Sequence, residues 1–224
     1  MISRVLLAPA ICALLISLCS ADEYRVEVLD EAPPADGVSD DLRQQLTITG
    51  LKVIRGSSQT VCEIWPCRTW QVSDGFQPTD EQLYPFEPGQ LIGLLRFRRR
   101  GNDFRDQQIS RGVYTLRYGL QPIDGNHEGT SPTRDFLLLV KAEEDSTQKN
   151  WTAEALIEAS AAAAESGHPA MLCLQQANAD RKAASMRHNE EKDWWILQLV
   201  GQVVSKGSTR PLPVDLIVAG HAEE

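Results

Sequence analysis

Apolar and polar residues alternate with a period of two through much of this chain. That pattern constrains the fold more than any other feature. In residues 112–121, Tyr114, Leu116, Tyr118 and Leu120 fall on one side, and Thr115, Arg117, Gly119 and Gln121 on the other. A strand places successive side chains on opposite faces, so this run predicts a half-buried strand with the second set toward solvent. Val26 and Val28 alternate with Arg25 and Glu27, and Leu46 and Ile48 with Thr47 and Thr49. The phase then flips at Gly50 to Leu51 and Val53, which predicts a bulge or bend at the glycine. Further strands are expected over 60–64, 69–72, 91–97, 136–141, 171–175, 194–203 and 214–219. Phe136-Leu137-Leu138-Leu139-Val140 is apolar on both faces and reads as a central, covered strand.

About ten strands separated by Gly, Pro and Asp turn signals give a mainly-β sandwich with one short α-helix. The helix is expected over about 153–165, with Thr152 as N-cap, Glu154 in the first turn and Gly167 and Pro169 as its stop. Ile109-Ser110-Arg111-Gly112-Val113-Tyr114 resembles the tyrosine corner of immunoglobulin-like sandwiches, with Arg111 in the place of proline.

Before the strands, Arg4, the apolar run 5–18 and the small residues Ser20 and Ala21 make a secretory leader of residues 1–21. Export to a periplasmic or extracellular space is therefore expected. One domain covers 22–224, with an acidic loop at 30–41 and no second apolar stretch of membrane length. Lys plus Arg total 22 against 31 Asp plus Glu, a net charge of −9. That balance argues against nucleic acid as a partner. The expected partner is instead an envelope or extracellular one.

Beyond the leader remain Cys62, Cys67 and Cys173. Five residues of straight strand span roughly 16 Å, beyond disulfide reach, whereas a break at Pro66 would let Cys62 and Cys67 pair. Both outcomes are open, and Cys173 reads as a small buried hydrophobe.

Three long polar segments, 73–90, 121–134 and 176–193, are where function is expected. The second carries Asp124, Asn126, His127, Ser131 and Arg134, the binding-loop candidates. With His188 and Glu191 of the third segment and His221 beyond the last strand, Asp124 and His127 could form a His/carboxylate site for Zn, Cu, Mn or Fe. Strand order decides whether these loops converge, and solvated turn residues account for the same pattern. No nucleophile elbow and no phosphate-binding glycine loop is present. Arg96, Arg98, Arg99, Arg100 and Arg105 form a basic cluster. It reads either as an anion-docking patch or as a hairpin turning at Gly101-Asn102, neutralised by Asp103 and Asp106. Trp65, Trp70, Trp194 and Trp195 allow a sugar-stacking module as an alternative to core packing.

Gly112 to Tyr118, Pro122 to His127 and Arg134 to Leu138 together resemble a family of uncharacterised exported bacterial proteins. Asp193-Trp194-Trp195 and Val218-Ala219-Gly220-His221 share the likeness. It covers mainly residues 90–140 and the C-terminal strands. It implies export and one continuous domain, and brings no catalytic residues and no cofactor with it. The strand around Tyr114 is also similar to strands of transthyretin-like and fibronectin-like sandwiches, an analogy of fold. The expected function is thus a non-enzymatic binding or envelope-associated accessory role. A metal-dependent protein and a carbohydrate-binding module are the alternatives.

Overall fold

The computed structural model describes residues 23–123 and 131–222. It is mainly β. In chain order it has β1 (Tyr24–Leu29), α1 (Asp40–Gln45), β2 (Gly50–Arg55), β3 (Gln59–Pro66), β4 (Trp70–Gln71) and β5 (Leu91–Phe97). Next come β6 (Gly101–Asn102), β7 (Gln108–Ile109), β8 (Gly112–Leu120), β9 (Asp135–Lys141), α2 (Ala153–Ala164) and β10 (Met171–Gln175). β11 (Ser185–Asn189), β12 (Trp194–Ser205) and β13 (Ser208–Ala219) complete the chain.

Ten strands form one antiparallel path, β1-β2-β3-β5-β8-β9-β10-β13-β12-β11, and β4 adds to β12 in parallel. The sheet curls until its two ends meet, where Tyr24 of β1 stacks on Trp195 of β12 with centroids 4.9 Å apart. Curling turns the first part of the sheet toward the second, and one core fills the space between. Its cross-strand register runs Leu51–Ile64–Leu95, then Leu116–Leu139, Tyr118–Leu137–Leu172 and Leu174–Leu216–Leu197. Alternation assigns Leu51, Leu116 and Tyr118 among them to the apolar face, and all belong to one buried cluster except Leu51, which is partly buried and packs against it.

The opposite face departs from expectation. Thr115 is fully buried and Arg117 is only 5% exposed. The segment after β9 lies over them, and Asp145 answers both. Arg117 donates to Asp145 through Nε and Nη2 at 2.9 Å each, and Thr115 Oγ1 donates to the same carboxylate. Trp151 Nε1 and the Ser146 amide complete its shell. A buried ion pair survives only with its remaining donors and acceptors filled, and this one meets that condition. Farther along the same face, α2 packs Leu156 on Leu138 and Val140. The all-apolar strand β9 is therefore covered on both sides, as its composition required.

α2 starts as predicted, Thr152 Oγ1 accepting from the Ala155 amide at 3.2 Å. It ends two residues before the expected glycine, because Glu165 itself takes the left-handed conformation at φ 53°. The tyrosine corner is present, Tyr114 Oη donating to the Ser110 carbonyl at 2.8 Å. Other expectations are corrected. α1 begins within the acidic loop, and its Leu42 is buried. The stretch 46–49 is not a strand, and β2 begins at Gly50. β11 lies within the segment read as a polar loop over 176–193.

The Cys62–Cys67 disulfide is not formed. β3 stays extended through Pro66, the two positions remain a strand's length apart, and both thiols are free and buried. Burial pushes each thiol up to about 12. The folded protein is therefore expected to leave Cys62, Cys67 and Cys173 unlabelled by a thiol reagent at neutral pH, and to expose all three in denaturant. Mass spectrometry of the labelled peptides checks this, and a Cys62–Cys67 crosslinked peptide would contradict it.

Candidate functional site

The segment expected to be a functional polar loop over 73–90 instead plugs one end of the curled sheet. Tyr84 is 3% and Phe86 1% exposed, and Phe86 packs edge-on against Trp70 and Tyr118. The plug is fastened by Asp135, at the start of β9 and fully buried. Its carboxylate accepts the Leu83 and Tyr84 amides at 3.0–3.2 Å and the Tyr118 hydroxyl at 2.6 Å. The Tyr84 hydroxyl donates to the Gln175 carbonyl at 2.6 Å and accepts from the Asp215 amide at 3.0 Å. Burial raises the Asp135 carboxyl above its ordinary value, against the lowering effect of its hydrogen bonds.

The other buried acids are engaged in the same structural manner. Asp103 accepts the Arg105, Gln107 and Met171 amides and the Gln107 side chain, and burial raises its carboxyl. Glu63 lies between Arg96 and Arg98, and Asp215 is held by Arg181 and by Gln198 Nε2. Asp103 and Asp215 each border a cavity, but their carboxylate oxygens are engaged by these donors.

The open feature lies on the outer face of β8, β9 and β10. A cleft of about 790 Å³ runs between α2, the turn joining β6 to β7, and the start of β10. Phe104, Phe136, Leu138, Ile157 and Met171 form its apolar floor. Ile157 is 40% exposed, one of few large apolar side chains so placed among the described residues. Gly119 opens the floor: a Cβ there would come within 2.9 Å of Leu138 Cδ1. Arg105, Gln121, His168 and His221 supply the polar rim.

Asp124, Asn126 and His127 lie outside the described residues. Of the expected binding segment, Gln121 and Pro122 line the cleft. Ser131 and Arg134 anchor the returning chain. Ser131 Oγ contacts Cys173 Sγ at 3.5 Å, and Arg134 Nε donates to the Gln121 carbonyl at 2.8 Å.

Of the five metal candidates, Asp124 and His127 lie outside the described residues, and His188, Glu191 and His221 form no metal-holding group among the described residues. His221 is on the cleft rim. His188 stacks on Trp195 at 4.1 Å and contacts Asp193 at 2.9 Å, and Glu191 sits exposed in the adjoining turn. Among the described residues, no three His, Cys, Asp or Glu side chains are grouped to hold a metal. The tryptophans are mostly core: Trp65, Trp70 and Trp194 are at most 2% exposed, and half-buried Trp195 is already stacked on His188 and Tyr24. None of the four offers the open flat face that sugar stacking uses.

Comparison with protein-family models, with curated proteins and with solved structures finds no match for this chain. Gln121 and Pro122 belong to the polar segment singled out from the sequence, and nothing in the sequence pointed to the cleft floor. Ile157 and Leu138 carry no signal beyond apolarity, and only the docking of α2 shows which of them stays open. Asp135 did leave a signal, an acid heading a strand apolar on both faces.

Replacing Asp135 by Ala strands three donors, and the expected loss of stability is about 3 kcal/mol. Asp135→Asn keeps an acceptor and should cost less. A carboxyl raised in the folded state binds its proton more tightly there. The contribution of Asp135 to stability is therefore greatest at low pH and declines as pH rises from about 4 through the raised value. Denaturant melts across that range should show a shallower pH dependence for Asp135→Asn than for the natural chain.

Proposed function

We propose that this is an exported binding protein, and that the cleft lined by Gln121, Pro122 and Ile157 takes a small, largely apolar ligand. The observation carrying this reading is an apolar-lined cleft into which Ile157, 40% exposed, projects, on a sheet face otherwise roofed by α2, the β6–β7 turn and the segment after β9. Burying apolar surface drives association, and ligand sites pair such a floor with a few polar groups at the rim. The volume is within the range of small-molecule sites. The engagement of the buried acids in structural hydrogen bonds favours binding over catalysis. Export follows from the leader at residues 1–21, and the ligand would be met in the periplasmic or extracellular space.

The test uses N-phenyl-1-naphthylamine, an uncharged apolar fluorophore, titrated into the purified protein. Saturable binding with a blue-shifted emission is expected. Ile157→Asp places a charge on the cleft floor at an already exposed helix position. That substitution should weaken binding about tenfold, the equivalent of roughly 1.4 kcal/mol, with little change in melting temperature. Non-saturable binding, or equal affinity in the variant, would refute the assignment of the cleft.

A further inference from the structure

The basic cluster divides in two in the folded protein. Arg96 of β5 and Arg98 just beyond it pair with Glu63 and Glu31. Arg99 and Arg100 do not. Both are exposed, and neither makes a hydrogen bond, ion pair or ring contact with any described residue. The acids expected to neutralise them are otherwise engaged. Asp103 is enclosed by four N–H donors, and Asp106 accepts from Asn102 Nδ2 at 2.5 Å. Gly101-Asn102 is likewise not the turn; it forms β6, paired with β7, and the chain reverses over 103–107. In a chain with nine more acids than bases, two adjacent guanidinium groups without an ion pair are notable, although Asp103 and Asp106 border the same cavity.

They line a cavity of about 290 Å³. It lies at the end of the curled sheet opposite the plug, where β2, β5 and β13 finish and β3 and β10 begin. Its walls include the aromatic rings of Tyr24, Phe97 and Phe104. Arg55 also lines it, its guanidinium 5.9 Å from the Tyr24 ring. The cavity is distinct from the apolar cleft and shares with it only Phe104, Asp106 and His221.

We propose that this cavity binds a small organic anion, a carboxylate carried on a flat aromatic body. Arg99 and Arg100 would meet the carboxylate and the aromatic walls the ring. Guanidinium groups present forked N–H donors that match a carboxylate in geometry as well as charge. Aromatic rings recognise a flat apolar body by offset or edge contact. The size admits one such molecule and no polymer. This inference does not depend on the cleft reading.

The experiment compares 2-naphthoate with its uncharged analogue 2-naphthalenemethanol on the full chain. Titration calorimetry and ligand-observed NMR would be run at low and high salt. Naphthoate is expected to bind with a Kd below about 1 mM at low salt, and the alcohol at least about tenfold more weakly. Salt should weaken the naphthoate complex, since screening acts on exposed charges. The double variant Arg99→Gln/Arg100→Gln removes two exposed side chains, so its melting temperature should hold. It should lose at least about tenfold in naphthoate affinity while keeping its affinity for N-phenyl-1-naphthylamine. Ile157→Asp should do the reverse, which separates failure of one site from failure of the other. Equal binding of acid and alcohol, an unchanged affinity in the double variant, or no naphthoate binding at millimolar concentration would each overturn the proposal.

Discussion

The buried carboxylate of Asp135 is the constraint on which the rest of the structure depends. A curled sheet of this kind has two open ends, and each must be filled with apolar groups or left to solvent. The chain fills one end by passing residues 79–90 across it, which would bury the Leu83 and Tyr84 amides without partners. Asp135 supplies both partners and also receives the Tyr118 hydroxyl from the neighbouring strand. An unmatched buried donor is costly, so this one side chain permits Tyr84 and Phe86 to enter the core. The raised carboxyl records what burial costs the charge there.

The outer face follows a parallel logic. Alternation in β8 gave that face Thr115 and Arg117, residues suited to water. The fold instead covers it and answers the buried guanidinium with Asp145, Ser146 and the Gly89 carbonyl. The Arg117–Asp145 pair draws the segment after β9 onto the sheet, and α2 follows to cover β9. What remains of that face, beyond the reach of α2 and beside Gly119, is the apolar cleft. The site is thus what the covering elements leave open, with no element dedicated to building it.

Charge is distributed unevenly about this scaffold. Several bases are matched: Arg96 and Arg98 by Glu63 and Glu31, Arg181 by Asp215, Arg25 by Glu27. Arg99 and Arg100 stand apart at the end of the sheet that is not plugged. The two ends therefore differ in chemistry, one closed by aromatic side chains over a buried acid, the other an aromatic-walled cavity rimmed by arginines.

The sequence by itself determined the class of fold, the positions of most strands, the tyrosine corner and the start of the helix. Each of these is written in local periodicity or in one turn's capping chemistry, which neighbouring residues decide among themselves. It also marked residues 121–134 as a long polar segment. The tertiary structure alone decided that residues 79–90 are a plug, that Arg117 is buried, that β3 keeps Cys62 from Cys67, and that His188 stacks on Trp195. Those outcomes depend on which strands become neighbours and on what covers each face. Alternation shows that a strand has two unlike faces, but a polar face packed under a segment with a matching acid has the same pattern as one in water. The cleft and the arginine-rimmed cavity arise where covering stops, and that boundary is set by contacts between elements distant in the chain.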